Sequence, residues 1–418
     1  MPEPALSGGH PLTPTKKFTG GALALSPQEN ERMKLSSYVR LLLVSAVAFL
    51  AIGCDDSSVS PTTNTRQPNT PVVAPAAVYT MTNDATQNAV REYRRDTNGA
   101  LTFVADYPTG GSGSGDTLDS SSNALIFSAG TNRFYAVNAG SNSLTAMVLG
   151  TDGKLTNLST VNSGGTRPIS VAAFGDTVYV LNAGNAGNNI PANITGFQMI
   201  GSQLQPLAGS TQALSAANPN PAEIEFTPSG TVLVVTERGT NNITTFNLNT
   251  NGVAGPAQAQ AANGVTPFGF DFTPGGVLVV SNATSGNAGA STASSYNVGV
   301  AGTISTISGS VANNQTGACW VEVARNAPFA YITNTGSNSV SIYNVDANGA
   351  LTLVGNGNSA TTGSGPVDLD ISNDSTFLYV LNRNDDSISS FRINADGTLT
   401  GIGTVTGLPA NSVGMIAR

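Results

Sequence analysis

The chain is 418 residues long, and 39% of its residues are hydrophobic while only 10% are charged. A formal net charge of −8 leaves no basic face for a nucleic acid, so we expect no partner of that kind. The sequence has two cysteines, too few for a fold held together by disulfides.

The first 53 residues are predicted to be removed or never used. Residues 1–32, which contain the only histidine, His10, are interpreted as an upstream extension or a misassigned start. Residues 33–53 have the pattern of a signal peptide, with basic residues before an apolar run at 41–52. As a helix this run spans roughly 18 Å, which is too short for a hydrocarbon core of about 30 Å.

The signal peptide ends in Leu-Ala-Ile-Gly-Cys54, which resembles a bacterial lipobox. The resemblance implies that Cys54 carries a lipid and anchors the protein to a membrane of the cell envelope, facing the periplasm. The alternative is a lone cysteine after an ordinary signal. Residues 54–76 are rich in Ser, Thr, Pro and Asn and are predicted to be a disordered tether. From Cys54 onward there are 11 Arg and 1 Lys against 22 Asp or Glu, a net charge of −10.

A short motif of two hydrophobic residues, any residue and Asn recurs seven times in the rest of the chain, once with Glu in place of Asn. The copies are 55, 44, 55, 45, 52 and 48 residues apart. The motifs end at Asn83, Asn138, Asn182, Glu237, Asn282, Asn334 and Asn382. Periods near 50 residues are typical of propeller blades. Residues 77–418 are therefore predicted to form an all-β, seven-bladed β-propeller.

Each repeat is predicted to supply four short strands, because apolar and polar residues alternate with a period of two. Asn-Gly or Asp-Gly pairs, as at Asp396-Gly397, favour a tight hairpin between the last two strands of a blade. The first repeat has no innermost strand of its own. Residues 410–417 match the pattern of an innermost strand, so we predict that this C-terminal strand closes blade 1.

Residues 230–246 and 331–343, which include Tyr331-Ile-Thr-Asn334, resemble the seven-bladed lactonase family. Bacterial 6-phosphogluconolactonases, fungal carboxymuconate-lactonizing enzymes and Tyr-Val-Thr-Asn repeat surface proteins belong to it. The resemblance covers roughly residues 77–418 and implies the same propeller. Its motifs specify strands more than chemistry.

In the lactonizing branch of the family, catalysis is thought to use a histidine, a glutamate and arginines. By resemblance, the candidates here are Glu237 and Arg238, which match an Asn-Arg-Gly motif, and Arg383 after Asn382. They apply only if the protein is an enzyme, because the predicted mature chain has no histidine. The alternative is that Glu237 and Arg238 form a solvated pair whose side chains point to opposite faces.

Aligning the innermost strands places acids at the same position of four consecutive blades. The aligned residues are Ile126, Ala172, Glu225, Asp271, Glu322, Asp370 and Gly414. Because these strands line a propeller's central channel, the four acids are predicted to form an arc that binds Ca²⁺ or a cationic ligand. Glu223 and Asp368 add two acids on the same side.

Two alternatives remain open for this region. The acids either hold a ligand or accept hydrogen bonds from neighbouring backbone amides and hydroxyls. Trp320, the only tryptophan, either stacks on a ligand or packs between blades. The favoured function is a lipid-anchored module that binds an envelope protein or a small ligand. The competing one is a divergent lactonase or lactonizing enzyme.

Overall fold

The computed structural model describes residues 74–118, 121–284 and 287–418. These residues form 30 strands in seven sheets, and the only helix among them is a 3-10 turn at Ala186–Asn188. The predicted seven-bladed, all-β fold is confirmed. No helix in the described ranges is long and apolar enough to cross a membrane. The predicted extension, the signal peptide, Cys54 and residues 54–73 of the tether lie outside the described residues.

The first three blades follow one another in chain order. Blade 1 contains β1 (Ala77–Met81), β2 (Ala89–Arg95) and β3 (Leu101–Pro108). Blade 2 contains β4 (Leu125–Ser128), β5 (Arg133–Asn138), β6 (Ser143–Leu149) and β7 (Leu155–Asn162). Blade 3 contains β8 (Pro168–Phe174), β9 (Thr177–Asn182), β10 (Asn193–Ile200) and β11 (Gln203–Pro206), and the short β12 (Gln212–Ala213) also pairs with β10.

The other four blades repeat the arrangement. Blade 4 contains β13 (Pro221–Phe226), β14 (Val232–Glu237), β15 (Asn242–Asn247) and β16 (Gln258–Ala261). Blade 5 contains β17 (Pro267–Phe272), β18 (Val277–Asn282), β19 (Thr292–Val298) and β20 (Ile304–Ala312). Blade 6 contains β21 (Ala318–Val323), β22 (Phe329–Asn334), β23 (Ser339–Val345) and β24 (Leu351–Leu353), with β25 (Ala360–Thr361) also paired with β23. Blade 7 contains β26 (Pro366–Ile371), β27 (Phe377–Asn382), β28 (Ser387–Ile393) and β29 (Leu399–Thr406).

The last strand of the chain, β30 (Val413–Ala417), completes blade 1. It pairs antiparallel with β1, so the sheet has the order β3-β2-β1-β30. The predicted closure by the C-terminal strand is confirmed. Joining the two ends of the propeller in one sheet removes the open edges that a linear array of blades would expose.

Hydrogen bonds from buried tyrosines tie neighbouring blades together. The hydroxyl of Tyr379 in blade 7 donates to the carbonyl oxygen of Gly99 in blade 1 at 2.9 Å. Tyr331 of blade 6 makes the same contact with Gly397 of blade 7, also at 2.9 Å. The acceptor glycines lie in the predicted hairpin turns, with φ of +89° at Gly99 and +82° at Gly397. The Asn-Gly and Asp-Gly pairs therefore serve both the hairpin and the contact between blades.

The core lies between the blades, where the buried faces of adjacent sheets meet. The inner and second strands are almost completely buried, and β14 is buried at all six positions. The outermost strands alternate between exposed and half-buried residues, as in β29. The innermost strands line the central channel.

Candidate functional site

The channel holds a cavity of about 810 Å³ at the end where each innermost strand turns into the second strand of its blade. The four acids of the predicted arc, Glu225, Asp271, Glu322 and Asp370, all line this cavity. They come from the innermost strands of blades 4 to 7. The structure therefore brings the aligned acids together around one space, which we call the acidic cavity.

The strand register places the aligned residues at equivalent depths. Glu322 lies opposite Tyr331, and Asp370 lies opposite Tyr379. In blade 1, however, the residue opposite Tyr79 is Ile416. The predicted seventh member, Gly414, is therefore wrong by two residues. Side chains alternate with a period of two, so a shift of two residues leaves the pattern unchanged and the sequence did not reveal it.

The two aspartates of the arc are bound to the next blade. Asp271 accepts a hydrogen bond from the backbone N–H of Val323 in blade 6 at 2.8 Å. Asp370 accepts one from the N–H of Ala417 in β30 at 2.7 Å. Both aspartates also accept from the N–H of the residue that follows them, at 2.6 Å. For these two acids, the structure has the hydrogen bonds to backbone amides that the sequence left as an alternative.

The two glutamates of the arc are less constrained. Glu322 interacts with Asp271 through a side-chain hydrogen bond. The carboxylate of Glu225 makes no hydrogen bond and no ion pair within 4.0 Å with any described residue. Both are half-buried, so water in the channel reaches them. The longer glutamate side chains thus extend into the space that the shorter aspartates leave.

Glu223 and Asp368 are buried beside the arc, with exposed fractions of 2% and 7%. Both oxygens of Glu223 are used: Asn123 donates to one at 2.6 Å and the N–H of Phe270 to the other at 2.7 Å. Asp368 accepts from the N–H of Leu369 at 2.9 Å. The contacts of Glu223 connect blade 4 to Asn123 and to blade 5, so this acid supports the wall of the cavity.

Arg325, which the sequence analysis did not single out, is the main positive charge at the acidic cavity. It lies in the turn after β21, and its charge acts on all four acids of the arc. Yet it forms no ion pair within 4.0 Å with any described residue. A signal did exist: Arg325 is the only basic residue in the turns between first and second strands.

Burial raises the pKa of each acid of the arc above its ordinary value. The pKa of Asp271 rises to about 6 and that of Asp370 to about 7, although the backbone N–H bonds to both act in the opposite direction. Burial raises the pKa of Glu225 and Glu322 well above the ordinary value, and repulsion from the neighbouring acids adds to it. Near neutral pH the cavity therefore both holds protons and carries negative charge.

The arrangement does not favour a calcium site. Within the described ranges, no three or more His, Cys, Asp or Glu side chains are grouped so that they could hold a metal ion. Two of the four carboxylates are occupied by backbone N–H groups, and Ca²⁺ takes six to eight oxygen ligands. The geometry is better suited to a ligand that needs one or two carboxylates.

Trp320 packs between blades. It is 3% exposed, and its indole N–H donates to the carbonyl oxygen of Ser121 at 2.7 Å. Its ring lies 4.9 Å from that of Phe268 in blade 5. These contacts place Trp320 in the core, which corresponds to the second of the two alternatives, packing between blades.

Glu237, Arg238 and Arg383 lie at the opposite end of the inner strands from the acidic cavity. Glu237 pairs with Pro221 where β13 begins, whereas Glu225 lies near the end of that strand. The structure therefore does not bring these three residues together with the arc. Arg383 lines a separate space of about 10 Å³ beside Trp320.

The carboxylate of Glu237 is fully buried and saturated with hydrogen bonds. It accepts from the hydroxyls of Thr240 and Thr244 at 2.7 Å, from the N–H of Ser215 at 3.0 Å, and from the Ser215 hydroxyl. In blade 7, Asn382 occupies the same position and donates to two serine hydroxyls at 3.0 Å. Glu237 thus does the structural work that Asn does in the other blades.

Arg238 keeps some capacity to bind an anion. One guanidinium nitrogen donates to Asn220 at 2.7 Å, and the group lies 5.1 Å above the ring of Phe268. Its Nε is buried and has no hydrogen-bond partner. Burial also lowers the pKa of Arg238.

Residues 115–413 match the family model of the seven-bladed β-propeller lactonases, and the chain belongs to that family. No match to a curated protein was found. Among solved structures, the chain is similar to a protein of Bacteroides uniformis assigned as a 6-phosphogluconolactonase, with 20% identity, TM-score 0.65, and coverage of 82% of this chain and 99% of that one. It is also similar to the periplasmic gluconolactonase of Pseudomonas aeruginosa, with 15% identity, TM-score 0.63, and coverage of 82% and 98%. At these identities the likeness shows the fold alone.

Proposed function

We propose that this protein is a binding module that takes a small ligand with a positively charged group into the acidic cavity. One observation carries the proposal: four carboxylates from four blades line a single space of about 810 Å³. A cationic group entering this space gains attraction from several carboxylates at once. The confined site screens that attraction less than bulk water does.

The glutamates are the expected contacts for the cation. Glu225 has no partner within the described chain, and Glu322 shares only the side-chain contact with Asp271. Neither gives up a backbone hydrogen bond when a ligand arrives. Asp271 and Asp370 keep their hydrogen bonds to the next blade, and their negative charges add to the attraction for the cation.

Calorimetric titration with 2-phenylethylamine tests this function. We expect heat of binding with the native protein and at least about a tenfold loss of affinity in the Glu225→Gln, Glu322→Gln double variant. Asp106→Asn is the control, because Asp106 pairs with Arg91 on an outer strand, away from the cavity. Absence of binding to the native protein would count against the proposal. A parallel titration with CaCl₂ decides whether the arc instead binds a metal.

A lactone hydrolase is the second candidate, and the unpaired Nε of Arg238 favours it. A guanidinium with a free N–H can bind the carboxylate or carbonyl oxygen of a lactone substrate. The fold is that of a lactonase, whereas Glu237 is committed to four hydrogen bonds. Hydrolysis of gluconolactone above the spontaneous rate, lost in Arg238→Gln, would establish this activity and displace the binding proposal.

We further propose that the protein is anchored in the cell envelope through a lipid on Cys54, and that an envelope protein or small molecule reaches the propeller there. The lipobox-like sequence before Cys54 supports this. Cell fractionation of the native protein and of Cys54→Ala tests it. The native protein is expected with the membranes and the variant in the soluble fraction. Equal distribution of the two would contradict the anchor.

A further inference from the structure

We infer that the ligand of the acidic cavity also carries a carboxylate, and that Arg325 binds it. The ligand class is then a small zwitterion with an apolar side group, such as a hydrophobic amino acid. This inference rests on the proposed function, because it adds a second recognition group to the same site.

Opposite charges face one cavity without pairing. The charges of Glu225 and Arg325 interact, because the arginine acts to lower the pKa of the glutamate. Neither side chain forms an ion pair within 4.0 Å or a hydrogen bond with any described residue. Two such groups on one wall leave room between them for a molecule that carries both complementary charges.

Glu225 and Arg325 also share a side cavity. This space of about 420 Å³ opens between blades 3, 4 and 5, and Glu225, Asp271 and Arg325 lie along it. Its other walls include the rings of Phe174, Phe226 and Phe272, together with Thr227 and Thr273. Phe174 is 46% exposed, which is unusual for so large an apolar side chain in this protein. An apolar group on the ligand would cover this ring.

The Arg325 guanidinium and the Glu225 carboxylate differ in the groups that they bind. This difference assigns one charged group of the ligand to each. A guanidinium offers planar pairs of N–H donors that match the two oxygens of a carboxylate. A glutamate carboxylate accepts hydrogen bonds from an ammonium group. A ligand with both groups and an aromatic side chain therefore satisfies Arg325, Glu225 and the wall around Phe174 together.

Three probes of nearly the same shape separate these contributions. L-Phenylalanine carries both charged groups, 2-phenylethylamine lacks the carboxylate and 3-phenylpropionate lacks the ammonium group. In calorimetric titrations of the native protein we expect L-phenylalanine to bind at least about tenfold more tightly than 2-phenylethylamine, and 3-phenylpropionate to bind most weakly.

Variants assign each effect to its residue. Arg325→Gln should lower the affinity for L-phenylalanine to about that for 2-phenylethylamine. The affinity for 2-phenylethylamine itself should not fall. Glu225→Gln should lower the affinity for both L-phenylalanine and 2-phenylethylamine. Arg392→Gln is the matched control, because Arg392 lies over Phe377 in an outer strand. Thermal melting of each variant verifies that it folds.

The outcomes separate the two proposals. If 2-phenylethylamine binds as tightly as L-phenylalanine to the native protein, the carboxylate contact is wrong and the cation site stands. If neither amine binds, both proposals fail. The three probes in the native protein decide the inference even if a variant does not fold.

Discussion

The carboxylate of Asp370 accepts a hydrogen bond from the backbone N–H of Ala417 at 2.7 Å, which joins the last complete blade to the strand that closes the ring. The same carboxylate lines the acidic cavity. This one pair of residues, 47 positions apart, therefore contributes both to the closure of the propeller and to the wall of the candidate site. Several consequences of this arrangement can be measured.

Removal of residues 413–418 should destabilise the propeller. Blade 1 would lose β30, and the hydrogen-bonding edge of β1 would be exposed. We expect the melting temperature to fall by more than about 5 °C, with aggregation on heating. Differential scanning calorimetry measures the change. Removal of Arg418 alone keeps β30 but loses two backbone hydrogen bonds with Ala77, so it should have a smaller effect than removal of the whole strand. Equal melting of the native and shortened chains would refute the closure.

Replacement of Glu237 should affect stability. Glu237→Ala leaves the buried hydroxyl of Thr244 without its acceptor, which costs about 1–3 kcal/mol. It also removes the part-buried hydrogen bonds from Thr240 and Ser215, which water can partly replace. Glu237→Asn introduces the residue found at this position in other blades and should be tolerated better. Urea denaturation of both variants measures the difference. If Glu237→Ala unfolds like the native protein, the structural role assigned to this carboxylate is incorrect.

Stability should decrease as the pH rises from about 5 to 8. The folded-state pKa values of Asp271 and Asp370, about 6 and about 7, lie above the ordinary value for aspartate. The folded state therefore binds more protons than the unfolded chain in this range, and deprotonation of these acids costs stability. Arg325 and Arg418, which also line the cavity, reduce the effect without changing its sign.

The measurement is the free energy of unfolding in urea at pH 5, 6, 7 and 8. Asp271→Asn with Glu322→Gln should flatten the dependence, since both replacements remove a titrating group and keep its shape. Asp84, Asp374 and Asp396 have lowered pKa values and act only at more acidic pH. An equal slope in native protein and variant would show that the arc does not titrate as described.

Affinity for a cationic ligand should rise with pH over the same range. Protons on Glu225 and Glu322 compete with the ligand, because burial raises the pKa of both carboxyls. Titrations of 2-phenylethylamine at pH 6, 7 and 8 should give progressively tighter binding, by up to about tenfold per pH unit for each proton released. The amine stays charged throughout. An affinity that does not change with pH would show that these carboxylates do not bind the ligand.

The sequence predicted the architecture well because the fold is periodic. Seven motifs recur at similar spacing, apolar and polar residues alternate with a period of two, and Asn-Gly pairs mark the turns. Each of these patterns reflects local geometry that repeats around the ring. The alignment also placed Glu225, Asp271, Glu322 and Asp370 at one cavity. It failed at Gly414, because Ile416 and not Gly414 lies opposite Tyr79, and an offset of two residues keeps the same alternation of side chains.

The site was harder to predict than the fold because it depends on side-chain partners. The sequence does not reveal that Asp271 and Asp370 accept hydrogen bonds from the next blade while Glu225 has no partner. Arg325 lies in a turn, outside the strand alignment that found the acids. Glu237 matched a family motif, yet its neighbours Thr240 and Thr244 give its carboxylate a structural role.

The most direct test of the acidic cavity is an NMR titration of the glutamate carboxyl carbons, with and without 2-phenylethylamine. From residue 77 onward the chain has only five glutamates, so the signals can be assigned with single Glu→Gln variants. We predict that Glu225 and Glu322 titrate well above about 4.3, the ordinary value for glutamate, and that the amine lowers both pKa values. Titration of both near the ordinary value, unchanged by the amine, would contradict a confined site for a cationic ligand.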